Sequence, residues 1–502
     1  MTARFPNTSV ATEVTEGAMA TDREIAHLLR RTGFGATQDD VAYYGDLGLL
    51  GTLDELLDYE QFSDDVDVNI GRPEFAGVTA RGQFSPNTVI ADARQRWLFR
   101  MVHTRRPLQE KMALFWHNHF ATAYSKLAGA YGATDATRMM AAAPSEDPAK
   151  AKGQIELFRE HALGNFRDLL LSVTKDVAML VWLDGRTNVR GRPQENYARE
   201  LMELFTMGVG FYTEQDVYAG ARVFTGWNLQ RTGERGAPDS YYAFAYLDRQ
   251  HDTDAKDFSF PIYRDGSRRI PARSASAGQQ DGVDLIDAVC RHPETGPRLA
   301  RKLYAFFVSD EGDAPERFVA DVAATYYRSG YDMKAVVRRV LLSPEFRDPA
   351  SHHARYSWPV EFVVRAIREI GWRGFSVNSA LTPLVNMGQQ LLEPPDVNGW
   401  ELGRGWFSTG AMLARMNFAA ALATNQKFNL RDMARPYRQS PQTLVSFFVD
   451  RMSPAPLDAD AYGALVDYAQ SVGAWTGSDA QLATKASGLA HLIGASGEYQ
   501  LV

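Results

Sequence analysis

The sequence predicts a mainly α-helical protein, a large multi-helix bundle that carries a small β-hairpin insertion. Three observations lead there. Apolar residues recur at helical spacing through most of residues 21–438. Capping and stop residues bracket those segments. The main stretch with a strand-like rhythm is 228–280, where SYYAFAYLDRQHD and KDFSFPIYRD alternate aromatics among Gly, Pro and Ser turns.

The elements follow in order. Asp22 is placed to cap a helix with Ile25, Leu28 and Leu29 on one face, and Gly33 and Gly35 stop it. Pro107 suits a first helical turn before LQEKMALFW. Asn165 precedes FRDLLLSVT, and Thr213 with Asp216 forms a near capping box before VYAGARVF. PRLARKLYAFFV, MKAVVRRVLL and PVEFVVRAIREI continue the pattern. Residues 125–153, rich in Ala and Gly, read as a mobile loop or lid over the helices. Three further helices (443–452, 459–472 and 480–493) make residues 439–502 a C-terminal helical subdomain. Residues 1–20 read as a disordered tail. VLLSPEF (340–346) and LIGASGEY (492–499) both end on Ser-x-Glu-aromatic, too weak an echo to define a repeat architecture.

Composition limits function. Of the 502 residues 45% are hydrophobic and 23% charged, which is globular and not disordered. A net charge of −7 removes the electrostatic drive for nucleic-acid binding. The single cysteine, Cys290, excludes an intramolecular disulfide and a thiolate zinc cluster, and its place in LIDAVCRHP suits the core. No apolar run reaches the ~20 residues a membrane span needs. The first twenty residues lack a secretory core, so the expected location is the cytoplasm, with export on a partner as the alternative. The nucleophile elbow, the phosphate-binding Gly-Lys-Ser/Thr loop and His-Glu-x-x-His are all missing from the sequence.

Four clusters remain as candidates for chemistry. In Phe115-Trp116-His117-Asn118-His119-Phe120, His119 shares a helical face with Leu108, Met112 and Phe115 while His117 points nearly opposite. The two imidazoles meet one metal only if the helix ends near Trp116; otherwise one is a core histidine and the other a C-terminal cap. In residues 193–205, Tyr197, Leu201, Leu204 and Phe205 form a buried face, flanked by a stripe of Asn196, Glu200 and Glu203. Such a stripe binds a cation or pairs with arginines: Glu195 with Arg199, the others with Arg186, Arg190 or Arg222. His251 and Asp252 head an Asp-rich loop that suits a hard metal or acid–base work, or is a solvated turn. Glu393–Phe407 holds two prolines, three glycines, Trp400, Arg404 and Trp406, and is either a ligand-stacking loop or a tryptophan plug in the core.

These blocks resemble a large bacterial family known only as domain of unknown function 1800. The matching stretches are HLLRRTGFG (27–35), LQEKMALFWHNHFAT (108–122), residues 194–227, HDTDAKDF (251–258), RKLYAFFV (301–308), VLLSPEF (340–346) and residues 394–418. Gln194 stands where the family more often has Asn. The resemblance implies work at the cell envelope or in polymer turnover, beside a sulfatase- or phosphatase-like partner protein.

Two readings result. In the first, a metal-dependent hydrolase or oxidoreductase holds Fe, Mn or Zn with His117, His119, Glu200, Glu203 and His251. There His117, His119, Glu200, His251 and Asp252 are catalytic, and Asn196, Arg199, Trp400, Arg404 and Trp406 bind substrate, a glycan or small molecule. In the second, the same groups fix helix packing, and the protein is a non-catalytic binding or scaffold protein for a partner or glycan.

Overall fold

The computed structural model describes residues 21–502, so the expected tail at 1–20 lies outside the described residues. The protein is mainly helical, with two antiparallel two-stranded sheets among the described residues. Local chemistry explains the helix ends. Thr21 caps Asp22–Thr32 one residue earlier than expected, because Glu24 closes a capping box with it while Asp22 enters the first turn. Thr37 and Asp40 do the same for Gln38–Leu57, and Thr213 and Asp216 for Glu214–Val223. Pro107 begins Pro107–His119, and Asn165 caps Phe166–Lys175.

The hairpin insertion forms as expected. β1 (Trp227–Thr232) pairs with β2 (Tyr241–Tyr246), Leu229 opposite Phe244, and β3 (Lys256–Asp257) pairs with β4 (Arg269–Ile270). Residues 125–153 differ from the expected loop. They carry two helices, Tyr124–Tyr131 and Ala133–Ala141, split at Gly132, whose φ of 86° breaks the run. Alanine favours helix by propensity, and Leu127, Ala136 and Met140 are buried at 0% exposure, so few large side chains suffice to fix the segment.

The final helices, Pro441–Met452, Ala459–Gln470 and Asp479–Ala495, lie where the periodicity puts them. The last packs against Thr409–Asn425 and Lys427–Ala434, and its apolar face joins the same core as the rest of the chain. Buried Arg365 ties this end down, donating to the carbonyls of Met452, Ser453, Tyr499 and Leu501. The Ser-x-Glu-aromatic echo is one local device used twice: Ser343 Oγ and Ser496 Oγ accept from the amides of Phe346 and Tyr499 at 3.2 and 3.3 Å. Cys290 is a core residue whose thiol burial pushes up, away from the reactive thiolate.

Candidate functional site

The Pro107 helix runs unbroken through Trp116 to His119, so the two imidazoles stay on different faces. His117 is fully buried. Its ring packs edge to face with Trp97 and Trp400, at centroid distances of 5.6 and 5.3 Å, and burial holds its pKa down to about 3. His119 lies elsewhere. Its Nε2 donates to the Phe205 carbonyl at 3.1 Å, because a carbonyl only accepts. That tautomer leaves Nδ1 as acceptor for Lys302 Nζ at 3.0 Å. Burial, with repulsion from Arg298, pushes the Lys302 ammonium down to about 7. Burial and these two cations keep His119 neutral.

The carboxylate stripe loses its predicted geometry to a change of helix type. Asn196–Glu200 is α-helical, but Leu201–Phe205 is a π turn. The wider turn rotates every later residue off the 3.6-residue pattern and frees carbonyls: Phe205 serves His119, and Leu204 accepts from Arg298 at 3.3 Å. Glu203 accepts from the Tyr212 hydroxyl. Arg199 pairs with Glu214 at 2.7 Å and, as expected, with Glu195 at 3.5 Å. Asn196 is exposed and donates to Asp184 at 3.1 Å.

Glu200 is half-buried, and burial first, then the charge of Glu203, raises its pKa. A raised carboxyl pKa means that ionising the group costs stability. The loss sets in as pH rises above the ordinary carboxylate value and is complete above the folded value. Glu200→Gln is therefore expected to leave stability at neutral pH unchanged or raised by less than ~1 kcal/mol, with the gain vanishing near pH 4. Urea titrations at the two pH values check this, and a clear loss at pH 7 would contradict it.

His251 is buried inside the insertion. Its Nδ1 faces the Thr225 carbonyl at 2.9 Å and its Nε2 faces Asp281 at 3.3 Å. Asp281 is itself held by Lys256 and Arg273. Asp252 grips Arg222 with two bonds of 2.8 and 3.0 Å, which takes that arginine away from Glu200 and Glu203. His119, Glu203, His251 and Asp252 thus each have their own polar partners. Among the described residues no group of three or more His, Cys, Asp or Glu side chains is arranged to hold a metal ion.

Trp400 and Trp406 are each only 5% exposed, against the expectation of a stacking surface. Trp400 covers His117, and Trp406 lies against Trp358 with centroids 6.1 Å apart. The loop is anchored by Asn118, whose Oδ1 accepts from the Trp400 amide at 2.7 Å. Gly399 permits this approach: its φ is 84°, and a Cβ there would lie 2.3 Å from Asn118 Oδ1. Arg404 is exposed and pairs with Glu311 at 3.0 Å.

A wide opening lies away from all these groups. A cleft of about 940 Å³ is bounded by residues 83–88, the junction of the two helices at Tyr131–Asp135, the 146–148 turn and the far end of the β1–β2 hairpin. Its charges are mostly paired: Arg231 with Asp135 at 2.8 Å, Arg138 with Asp147 at 2.9 Å, and Glu146 with neighbouring Arg96 at 3.1 Å. Tyr131 and Phe84 supply aromatic surface, and exposed Arg235 stands at the hairpin tip. Behind Asp135 and Arg138 lies a second cavity of about 190 Å³, lined in part by Asp176, whose carboxyl burial pushes up to about 7. The sequence marked the hairpin but not these residues, because the wall is assembled from four distant segments with no local motif. Lys302 and Asn118 were also missed, although both lie inside blocks that carry the family resemblance.

Fold and site define a mainly helical protein with a hairpin-walled polar cleft and buried His117, His119 and His251. A family described as a protein of unknown function, DUF1800, matches residues 27–501, and the chain belongs to that family. No curated protein and no solved structure matches it. None of the described helices is long and apolar enough to cross a membrane.

Proposed function

We propose that the protein binds a neutral oligosaccharide in the hairpin-walled cleft. The observation that carries this reading is the lining of the cleft. Paired Arg–Asp side chains present donors and acceptors side by side with little net charge, which is what sugar hydroxyls require. Tyr131 and Phe84 offer flat apolar surface for the C–H face of a sugar ring. The volume of about 940 Å³ accommodates several sugar units. A neutral polysaccharide of the cell envelope, where the family resemblance implies a role, has this chemistry. This reading is preferred to a metal-dependent hydrolase or oxidoreductase because His119, Glu203 and His251, three of the residues proposed as ligands, are each engaged with a neighbour of their own.

Calorimetric titration with chito-, cello- and malto-oligosaccharides tests the reading. At least one series should bind, and Tyr131→Ala or Arg235→Ala should weaken it by ~1–3 kcal/mol. Failure of all three series, or equal binding by both variants, would count against it. Stoichiometric Fe, Mn or Zn retained after reconstitution would instead favour the enzyme.

A further inference from the structure

The block HLLRRTGFG places Arg31 at 0% exposure, and the proposed binding cleft makes no use of it. Arg31 has one hydrogen bond, from Nη2 to the Ser351 carbonyl at 2.7 Å. Among the described residues its Nε and Nη1 find no acceptor, nor do Nε and Nη1 of Arg355, which is also 0% exposed. Four guanidinium nitrogens on two buried cations therefore lack partners among the described residues.

The nearby carboxylates are already used. Glu361 Oε1 takes Lys111 and Arg355, and its Oε2 takes the Trp358 amide at 2.8 Å. Asp310 accepts the amides of Tyr356 and Gly403 at 3.3 and 3.1 Å. Arg31, Arg355, Lys111 and Arg415 thus gather around Glu361 and Asp310, so buried cations outnumber carboxylates. Burial, then repulsion from Arg355, weakens the hold of Arg31 on its proton. An uncompensated buried charge is expensive, and proteins that keep one pair it or bind a counter-ion.

We infer that Arg31 and Arg355 form an internal binding site for one small monovalent anion of halide size. A negative charge offsets part of the excess, and the unused N–H groups of the two arginines suit a compact acceptor. A bulky organic anion has no route into a position where both arginines are fully covered.

The test uses the full chain. Melting temperatures are measured at constant ionic strength and pH while chloride replaces gluconate, for the wild type and for Arg31→Met. A site that binds only the folded state should raise the wild-type value by roughly 2–3 °C as chloride passes from its dissociation constant to a hundredfold above it. Arg31→Met should lose that increment. Should the variant fail to fold, crystals of the wild type grown in bromide decide: an anomalous peak is expected within hydrogen-bonding reach of both Arg31 and Arg355. Equal chloride dependence in wild type and variant, or bromide crystals with no peak between the two arginines, would overturn the inference.

Discussion

Trp400→Ala and Trp406→Ala are each expected to lower the unfolding free energy by ~3–5 kcal/mol, the range for truncating a buried tryptophan. Both rings are 5% exposed, and each closes a different part of the core. Trp400 seals the face of His117, a buried imidazole already stripped of water. Trp406 fills the space beside Trp358 and Gly388, where a Cβ on the glycine would stand 3.8 Å from the indole. Neither site can collapse easily, since Asn118 and Asp310 fix the loop backbone at Trp400 and Gly403. Oligosaccharide binding in the distant cleft should survive both changes. Denaturant titration measures the first effect and calorimetry the second. Near-normal stability with lost ligand binding would restore the stacking-loop reading.

Helix positions were legible because they depend on local signals. Thr213 with Asp216, Asn165 and Pro107 act within one turn, and the alternating aromatics of 241–246 announce their strand. The site was less legible because its determinants are not local. A helical wheel drawn through residues 196–205 assumes 3.6 residues per turn, and the π turn at Leu201–Phe205 breaks that assumption where Glu203 sits. Whether Trp400 and Trp406 face solvent depends on Asn118 and Trp358, which are remote in sequence. The same holds for Arg222, which looked available to Glu200 and is taken by Asp252 from the insertion. Patterns of residue type identify polar groups at a core boundary, but only the fold decides which partner each one meets.

Glu361→Gln is expected to cost ~3–5 kcal/mol, because it leaves buried cations without their shared counter-ion. Glu361 is 2% exposed and pairs with both Lys111 and Arg355. Burial works against its charge, but Arg355 and Lys111 outweigh burial and hold the carboxyl down to about 2. For Lys111 the balance runs the other way, and burial pushes its ammonium down to about 8. The two directions agree once charges are counted, since the glutamate has two cations to itself while the lysine shares one anion. The sign of the pH dependence follows from the glutamate. A depressed carboxyl pKa gives stabilisation that is complete above the ordinary value of 4.5 and is lost as pH falls toward 2. Wild type and Glu361→Gln should therefore differ most near pH 6–7 and converge as the solution is acidified below ~4. Gln keeps the size of the side chain and an acceptor for the Trp358 amide, so a loss of this size reports charge and not packing. Urea titrations of both proteins between pH 3 and pH 7 would show it. A difference that stays constant across that range would mean that Glu361 acts through shape and hydrogen bonding alone.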